Sequence, residues 1–242
     1  MQIAIVLYQG MTALDAVGPY EVLRLIPDAE IRFVSSTPQP ISTDGVLVMG
    51  STHSYDETPS PDIVLVPGSS ADKTTAMADG ELIAWLKKVH ETSKLTLSVC
   101  SGALVLGAAG ILEGHPATTH WIAQKALNNF GADSRRDERV VKSGKIITGA
   151  GVSAGIDLAL SVVKELCGQE RAEVIQLLIE YDPHPPVDAG HPEKASEPVY
   201  KIAKAEMLQA AKNPRNVISV PKILWRTALT KLRKKAGMKE NA

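Results

Sequence analysis

The sequence predicts an α/β fold: a doubly wound parallel sheet sandwiched by helices, with a helical extension at the C-terminus. Three observations predict it. Short apolar, β-branched runs recur at "QIAIVLY" (residues 2–8), "EIRFVSS" (30–36), "PDIVLVP" (61–67) and "KLTLSV" (94–99). Stretches with helical spacing separate them, which implies parallel βαβ units. At 242 residues the chain is long enough for one full α/β domain and short for two.

Each element has its own signal. The run at 2–8 is a buried strand by length and β-branching. "ALDAVGPYEVLRLI" (13–26) follows at helical spacing, with Pro19 suited to the first turn of its main segment. Asp44-Gly45 marks a turn between two short extended pieces, a small hairpin. "GELIAWLKKVHE" (80–91) is an amphipathic helix, and "GALVLGAAG" (102–110) is another, closed by Gly110. "ATTHW" (117–121), "ERVVKSG" (138–144) and "KIITG" (145–149) read as extended. Residues 152–167 and 169–181 are two strongly periodic helices, and 182–198 is a Pro-rich surface loop. Residues 199–237 read as two more helices, broken near Asn213-Pro214. The chain therefore divides into a domain over 1–198 and a basic helical extension over 199–242.

Composition narrows the classes of function. A hydrophobic share of 44% with a net charge of −1 is that of an ordinary soluble globular protein. No apolar run reaches membrane-spanning length, and the N-terminus lacks a basic region and a small-residue cleavage site, so the expected location is cytoplasmic with no membrane partner. Residues 201–242 hold eleven Lys/Arg against two acids, which leaves the first 200 residues acidic. "KILWRTALTKLRKK" (222–235) places its apolar residues at helical spacing, as a packing helix does. It is too short for a two-unit helix-turn-helix module, and nucleic acid is not an expected partner. Cys100 and Cys167 match no metal-ligand spacing, and no disulfide is expected in a reducing compartment.

Cys100 carries the chemistry. It follows the strand at 94–99 and precedes a helix, at the carboxyl edge of the sheet where α/β proteins bind ligands. Helix N-terminal amides and the helix dipole favour a thiolate there, which predicts a lowered pKa. The Ser101 amide points where a developing anion could be held, and Gly102 lets the chain turn behind the sulfur. Cys167, at a helix C-terminus beside Gly168, is expected to be a packing residue. Asp15, in the first βα connection, opens on the same edge; it is either a helix cap or a carboxyl group that exchanges a proton with the sulfur. Gly68 and Ser69, after the strand at 61–67, offer amide donors on the same rim. Asp157, inside an apolar helix, needs a neighbouring backbone group or hydroxyl.

The motifs "LDAVGP", "VPG", "VCSGALVLGAAGIL", "ATTHW", "TGAG", "SAGIDLAL" and "LLIEY", in this order over about the first 190 residues, resemble the PfpI/ThiJ-like group of the class I glutamine amidotransferase-like superfamily. Within it they are most similar to the members that hydrate isocyanides. The resemblance implies a flavodoxin-like sandwich, a homodimer, a small-molecule isocyanide substrate and no cofactor or metal. Carried over by position, Cys100 is the nucleophile and Asp15 the acid/base partner, and the amides of Gly68, Ser69 and Ser101 surround the reacting group. His120, within "ATTHW", has a supporting role. Ser69 stands where a second Gly is frequent and Ser101 where Thr is frequent; no His follows Cys100 directly. The implied reaction adds water to an isocyanide through a Cys100 thioimidate and gives an N-substituted formamide. The alternative is a non-catalytic thiol or small-ligand sensor. A glyoxalase-like activity usually comes with Glu where this chain has Asp15.

Overall fold

The structure, a computed structural model, describes residues 1–210 together with 212, 219, 221 and 223. From the N-terminus, β1 (Gln2–Val6) leads through α1 (Ala13–Leu23) to β2 (Glu30–Ser35). The hairpin of β3 (Pro40–Ser42) and β4 (Val48–Gly50) follows, then β5 (His53–Ser54) and β6 (Ile63–Val66). Next come α2 (Lys73–Ala78), α3 (Gly80–Thr92), β7 (Leu95–Val99) and α4 (Gly102–Ala108). β8 (Pro116–Ala117), a 3-10 turn at Trp121–Ala123, α5 (Gln124–Asn128) and β9 (Asp133–Ser134) form a small excursion. The chain closes with β10 (Val140–Ser143), β11 (Ile146–Gly149), α6 (Ala154–Cys167), α7 (Gln169–Leu178) and α8 (Glu197–Ala210).

Seven strands make one sheet in the order β10-β11-β7-β6-β1-β2-β5. All neighbours are parallel except β10, which pairs antiparallel with β11 at the edge. The sheet is thus the expected doubly wound one with a single reversed edge strand. The helices α1, α6 and α7 pack together as one layer, and α2, α3 and α5 gather around α4 as the other. Both faces of the central strands are covered; β7 buries Thr96 and Ser98 between its apolar residues, and Ile3, Ile5, Ile63, Leu65 and Leu97 have no solvent exposure. Truncating any of them to Ala costs about 2–5 kcal/mol.

Strand order reverses beside β1, which pairs with β2 on one side and β6 on the other. The carboxyl ends of β1, β6 and β7 therefore meet at the switch point of the sheet, where such folds form a crevice. Two glycines let α1 and α6 of one layer pack closely beside it. A Cβ at Gly155 of α6 would stand 3.0 Å from Pro19 Cγ, and one at Gly18 of α1 would stand 3.2 Å from Ile156 Cγ1.

Some local expectations change. α1 begins at Ala13, so Pro19 lies inside the helix and not in its first turn; lacking an N–H, it donates nothing to the Asp15 carbonyl one turn back. The Thr12 side chain does not cap α1 but donates to Asp44 Oδ2 at 2.7 Å, tying the hairpin turn to the helix start. Asp79, by contrast, caps α3 by accepting from the Glu81 and Leu82 amides. Cys167 is exposed, not packed. α8 supplies the first of the two C-terminal helices, and a boundary at residue 198 falls in its first turn. Of the second helix and the basic stripe at 222–235, only residues 219, 221 and 223 are among the described residues, and these are helical. No helix among the described residues is long and apolar enough to cross a membrane.

Candidate active site

Cys100 directly follows β7 with φ at 56°, the left-handed region that non-glycine residues rarely enter. Its surroundings hold it there from both sides. The Cys100 amide donates to the Ala150 carbonyl at 2.8 Å, and the Thr119 hydroxyl donates to the Cys100 carbonyl at 2.7 Å. Strain at such a position persists only where neighbours over-determine it. The sharp turn is thus made by Cys100 itself. Gly102 serves a different purpose, because a Cβ there would lie 2.1 Å from the Val66 carbonyl oxygen. Only glycine lets α4 start against the end of β6.

Asp15 sits in the first turn of α1 and is fully buried. It caps nothing. One oxygen, Oδ2, accepts from the Gly68 amide at 2.8 Å, whereas Oδ1 is buried with no hydrogen-bond partner. The carboxyl and the Cys100 thiol act on each other without a well-formed hydrogen bond, as is common before substrate tightens a site. Burial raises the Asp15 pKa to about 7, against the lowering by the Gly68 amide and the thiol; Asp44 adds to the rise.

The thiol is also pushed up, well above its usual value. Burial is the main cause and the Asp15 charge the second; the Ser101 and Val152 amides pull the other way and lose. This reverses the expected lowering by a helix N-terminus. α4 has only seven residues, and its field does not offset the desolvation of a sulfur that is 5% exposed. Near pH 7 the pair therefore keeps its proton on sulfur, with Asp15 poised between acid and base.

Gly68 and Ser69 are beside the pair, but their amides face inward. The Gly68 amide holds Asp15, and the Ser69 amide donates to Ser101 Oγ at 2.9 Å, which returns a bond to the Ser69 carbonyl. Gly68 has to be glycine, because a Cβ would stand 2.5 Å from the Ser101 nitrogen and 2.9 Å from Asp15 Oδ2. Ser69 Oγ donates to the Gly10 carbonyl and receives the Asp72 amide, so this serine braces two loops. The amides of Ser101 and Val152 are the ones aimed at the sulfur. Sequence reasoning missed Val152 and Thr119; the small residues around Gly149 and Gly151 were the available signal for the former.

His120 caps the 3-10 turn, with Nδ1 accepting from the Ile122 amide, and burial holds its pKa down at about 4. It is neutral at pH 7. A cavity of about 760 Å³ opens beside the elbow, walled by Leu14, Thr119, His120, Trp121, Gly151 and Val152 among others. In the Pro-rich loop, His184 bonds to the Asp182 carbonyl, whereas His191 accepts from the Glu193 amide and lines the same cavity. Asp157 pairs with Arg139 at 2.5 Å and receives the Tyr181 hydroxyl. No three His, Cys, Asp or Glu side chains among the described residues group to hold a metal.

A parallel sheet with a cysteine elbow facing a buried acid at its switch point defines a class, and the comparison with known families agrees. The chain belongs to the DJ-1/PfpI family, which it matches over residues 1–165. It is similar to an isonitrile hydratase of Pseudomonas putida, 37% identical over 204 residues, covering 84% of this chain and 89% of that protein. A ThiJ/PfpI family protein from Pseudomonas syringae superposes with a TM-score of 0.82 at 37% identity, over 90% of each chain. Drosophila melanogaster DJ-1beta shares the fold, with a TM-score of 0.67 at 20% identity, over 75% of this chain and 98% of that one.

Proposed function

We propose that this protein is a cofactor-independent isocyanide hydratase, converting an isocyanide and water to an N-substituted formamide. The observation that carries the reading is the buried pair: Asp15 with one unpartnered oxygen, next to a cysteine held on a strained elbow. The 37% identical isonitrile hydratase supports it. A thiol that is 5% exposed suits a site closed around a small substrate better than a sensor that must meet a partner.

The chemistry needs one thiol and one acid. Cys100 Sγ attacks the terminal carbon of the isocyanide as the thiol proton passes to ionised Asp15. Asp15 delivers that proton to the same carbon, which gives a thioimidate, S–CH=N–R. The Asp15 carboxylate then takes a proton from water as its oxygen adds to the carbon. The nitrogen gains a proton, the C–S bond breaks, and the sulfur leaves as the thiol. The net change is addition of one water to the isocyanide. The amides of Ser101 and Val152 stabilise negative charge at the sulfur while it forms and while it departs. Gly68 and Ser69 act one step back, holding Asp15 and Ser101 in place. His120 walls the cavity and carries no proton in the cycle.

We infer a cytoplasmic homodimer as well. Exposed apolar side chains on α7 and α8, Leu177, Leu178 and Ile202, support the dimer, which light scattering of the purified protein tests. The function is tested by following formamide production from an alkyl isocyanide. Turnover by the wild type, abolished by Cys100→Ala and by Asp15→Ala, is the expected result. No turnover with Cys100 intact and reduced would refute the reading.

A further inference from the structure

Arg139, just ahead of β10, holds both ends of the loop that aims a donor at Cys100. Its carbonyl accepts from the Ala150 amide at 2.9 Å. Its guanidinium donates from Nη2 to Ser153 Oγ at 3.2 Å and from Nε to Asp157 Oδ2 at 2.5 Å. Gly151 and Val152 lie between these anchors, and the Ala150 carbonyl in turn takes the Cys100 amide at 2.8 Å. Ser153 occupies the N-cap position of α6, yet its side chain caps nothing and is left to receive Arg139. Asp157 is engaged on both oxygens, with the Tyr181 hydroxyl donating to Oδ1 at 3.1 Å. An ion pair whose side chains are 51% and 33% exposed adds little to stability. What it offers is direction, because two donors of one planar guanidinium fix the loop's far end and the first turn of α6 together.

We propose that Arg139 is a positioning residue of this site: by clamping the Ala150–Ser153 loop at both ends, it aims the Val152 amide at the Cys100 sulfur. The inference rests on the hydratase reading and adds to it a residue that acts through a loop and not on the reacting atoms. Burial of the sulfur makes the aim consequential. A thiol 5% exposed draws no support from water, so its charge, as it forms and as it departs, rests on the Ser101 and Val152 amides. The Ser101 amide sits at the start of α4, but Val152 lies ahead of α6, and its direction is set by the two ends of its loop. Asp15, Tyr8 and Lys73 are the titratable groups whose charges also act with the sulfur. They bond to Gly68, Pro67 and Ser70, away from Arg139, so a change at Arg139 leaves them in place.

The test uses methyl isocyanide, because a single methyl group has the least to gain from the cavity wall that Arg139 also lines. Arg139→Ala should lower kcat about 5- to 20-fold and leave KM within about twofold, the mark of an interaction made in the transition state. Arg139→Lys keeps the charge but loses the fork, and should fall between the wild type and Arg139→Ala. Asp157→Asn should cost about 2- to 5-fold; added to Arg139→Ala it should cost less than about twofold more, since the pair acts as a unit. Lys142→Ala is the control. It removes another ion pair between β10 and α6, Lys142 with Glu165 at 2.5 Å, near the far end of α6, and should leave kcat within about twofold. A second readout needs no turnover. In a Cys167→Ser background, Arg139→Ala should slow alkylation of Cys100 by iodoacetamide at pH 8 by about 3- to 10-fold, because the thiolate loses a donor. A merely loosened loop would expose the sulfur and speed the reaction. Faster alkylation, a change confined to KM, or an equal loss in Lys142→Ala would overturn the proposal. A wild type that converts no isocyanide would overturn the hydratase reading instead, while the alkylation arm still judges Arg139.

Discussion

Replacing Asp15 by Asn should stabilise the protein, and the gain should grow with pH. Asn keeps the shape and still accepts from the Gly68 amide, but it cannot ionise. In the wild type the carboxyl ionises at about 7 when folded, against 3.8 as the ordinary value. Between these values the unfolded chain has lost this proton and the folded chain has kept it. Stability from this group is therefore fully present below about 3.8 and falls as pH rises, until it levels off above about 7. The full difference is about 4 kcal/mol at 1.36 kcal/mol per pH unit. Between pH 5 and pH 8 it amounts to about 2.5 kcal/mol. The residue is fully buried, so solvent screening does not discount it. Urea unfolding of both proteins at several pH values reads the effect directly. Taking the difference cancels contributions common to both, including those of His90 and His120, whose pKa values are held at about 4. A wild-type-to-variant difference that stays flat from pH 5 to pH 8 would refute the raised Asp15 and, with it, the proton inventory of the mechanism. A stabilised, inactive variant is the trade expected of a site residue.

Other outcomes follow from the same geometry. Gly102→Ala forces a methyl group to within 2.1 Å of the Val66 carbonyl oxygen, so melting should drop by several degrees and activity should be lost; an unchanged Tm would contradict the close approach of α4 to β6. Titration of native protein with a thiol reagent at pH 8 should show one fast sulfur, removed by Cys167→Ser, and a second at least about 10-fold slower, because Cys167 is exposed and Cys100 is buried with a raised pKa. Two equally fast sulfurs would count against the closed elbow. Tyr8 donates at 2.9 Å to the Pro67 carbonyl, the other end of the peptide whose N–H holds Asp15. Tyr8→Phe frees that peptide, and the acid limb of kcat/KM, expected near pH 7 because Asp15 has to be ionised, should move up by about half a pH unit.

The fold was legible where burial dictates composition. β1 and β6 are covered on both faces, so their residues after Gln2 are all apolar and could be read as strands from type and length alone; β7 was legible from Leu95, Leu97 and Val99, although Thr96 and Ser98 are buried between them. The Asp44-Gly45 turn was legible for a local reason, and it does join β3 to β4 with Ile41 opposite Met49. α2 escaped notice because six residues of small and polar type carry no period. Pro19 misled because a proline inside a helix is usually its first turn; here close packing against Gly155 keeps it in the middle.

At the site, Cys100 and Asp15 could be placed on one edge of the sheet by chain order, since each follows a parallel strand. Which way the thiol pKa moves could not. It depends on burial, and the groups packed on Cys100 come from Gly149, Ala150 and Val152 and from the loop at Thr119, all distant in sequence. The same limit applies to the amides of Gly68 and Ser69. Their partners, Asp15 and Ser101, lie 53 and 32 residues away, so a rim of free donors was the natural expectation and an engaged rim is the outcome. The pairing of Trp121 with Tyr200 joins a turn to a helix 79 residues on, and nothing in either segment announces it.

The most direct test of the account is to quench the reaction with an alkyl isocyanide at intervals within the first turnover and weigh the protein. The account predicts that it gains the full mass of the isocyanide, on the peptide that holds Cys100, and that the adduct decays as formamide appears. Formamide formed at the wild-type rate by Cys100→Ala, with no adduct on the sulfur at any time, would contradict it.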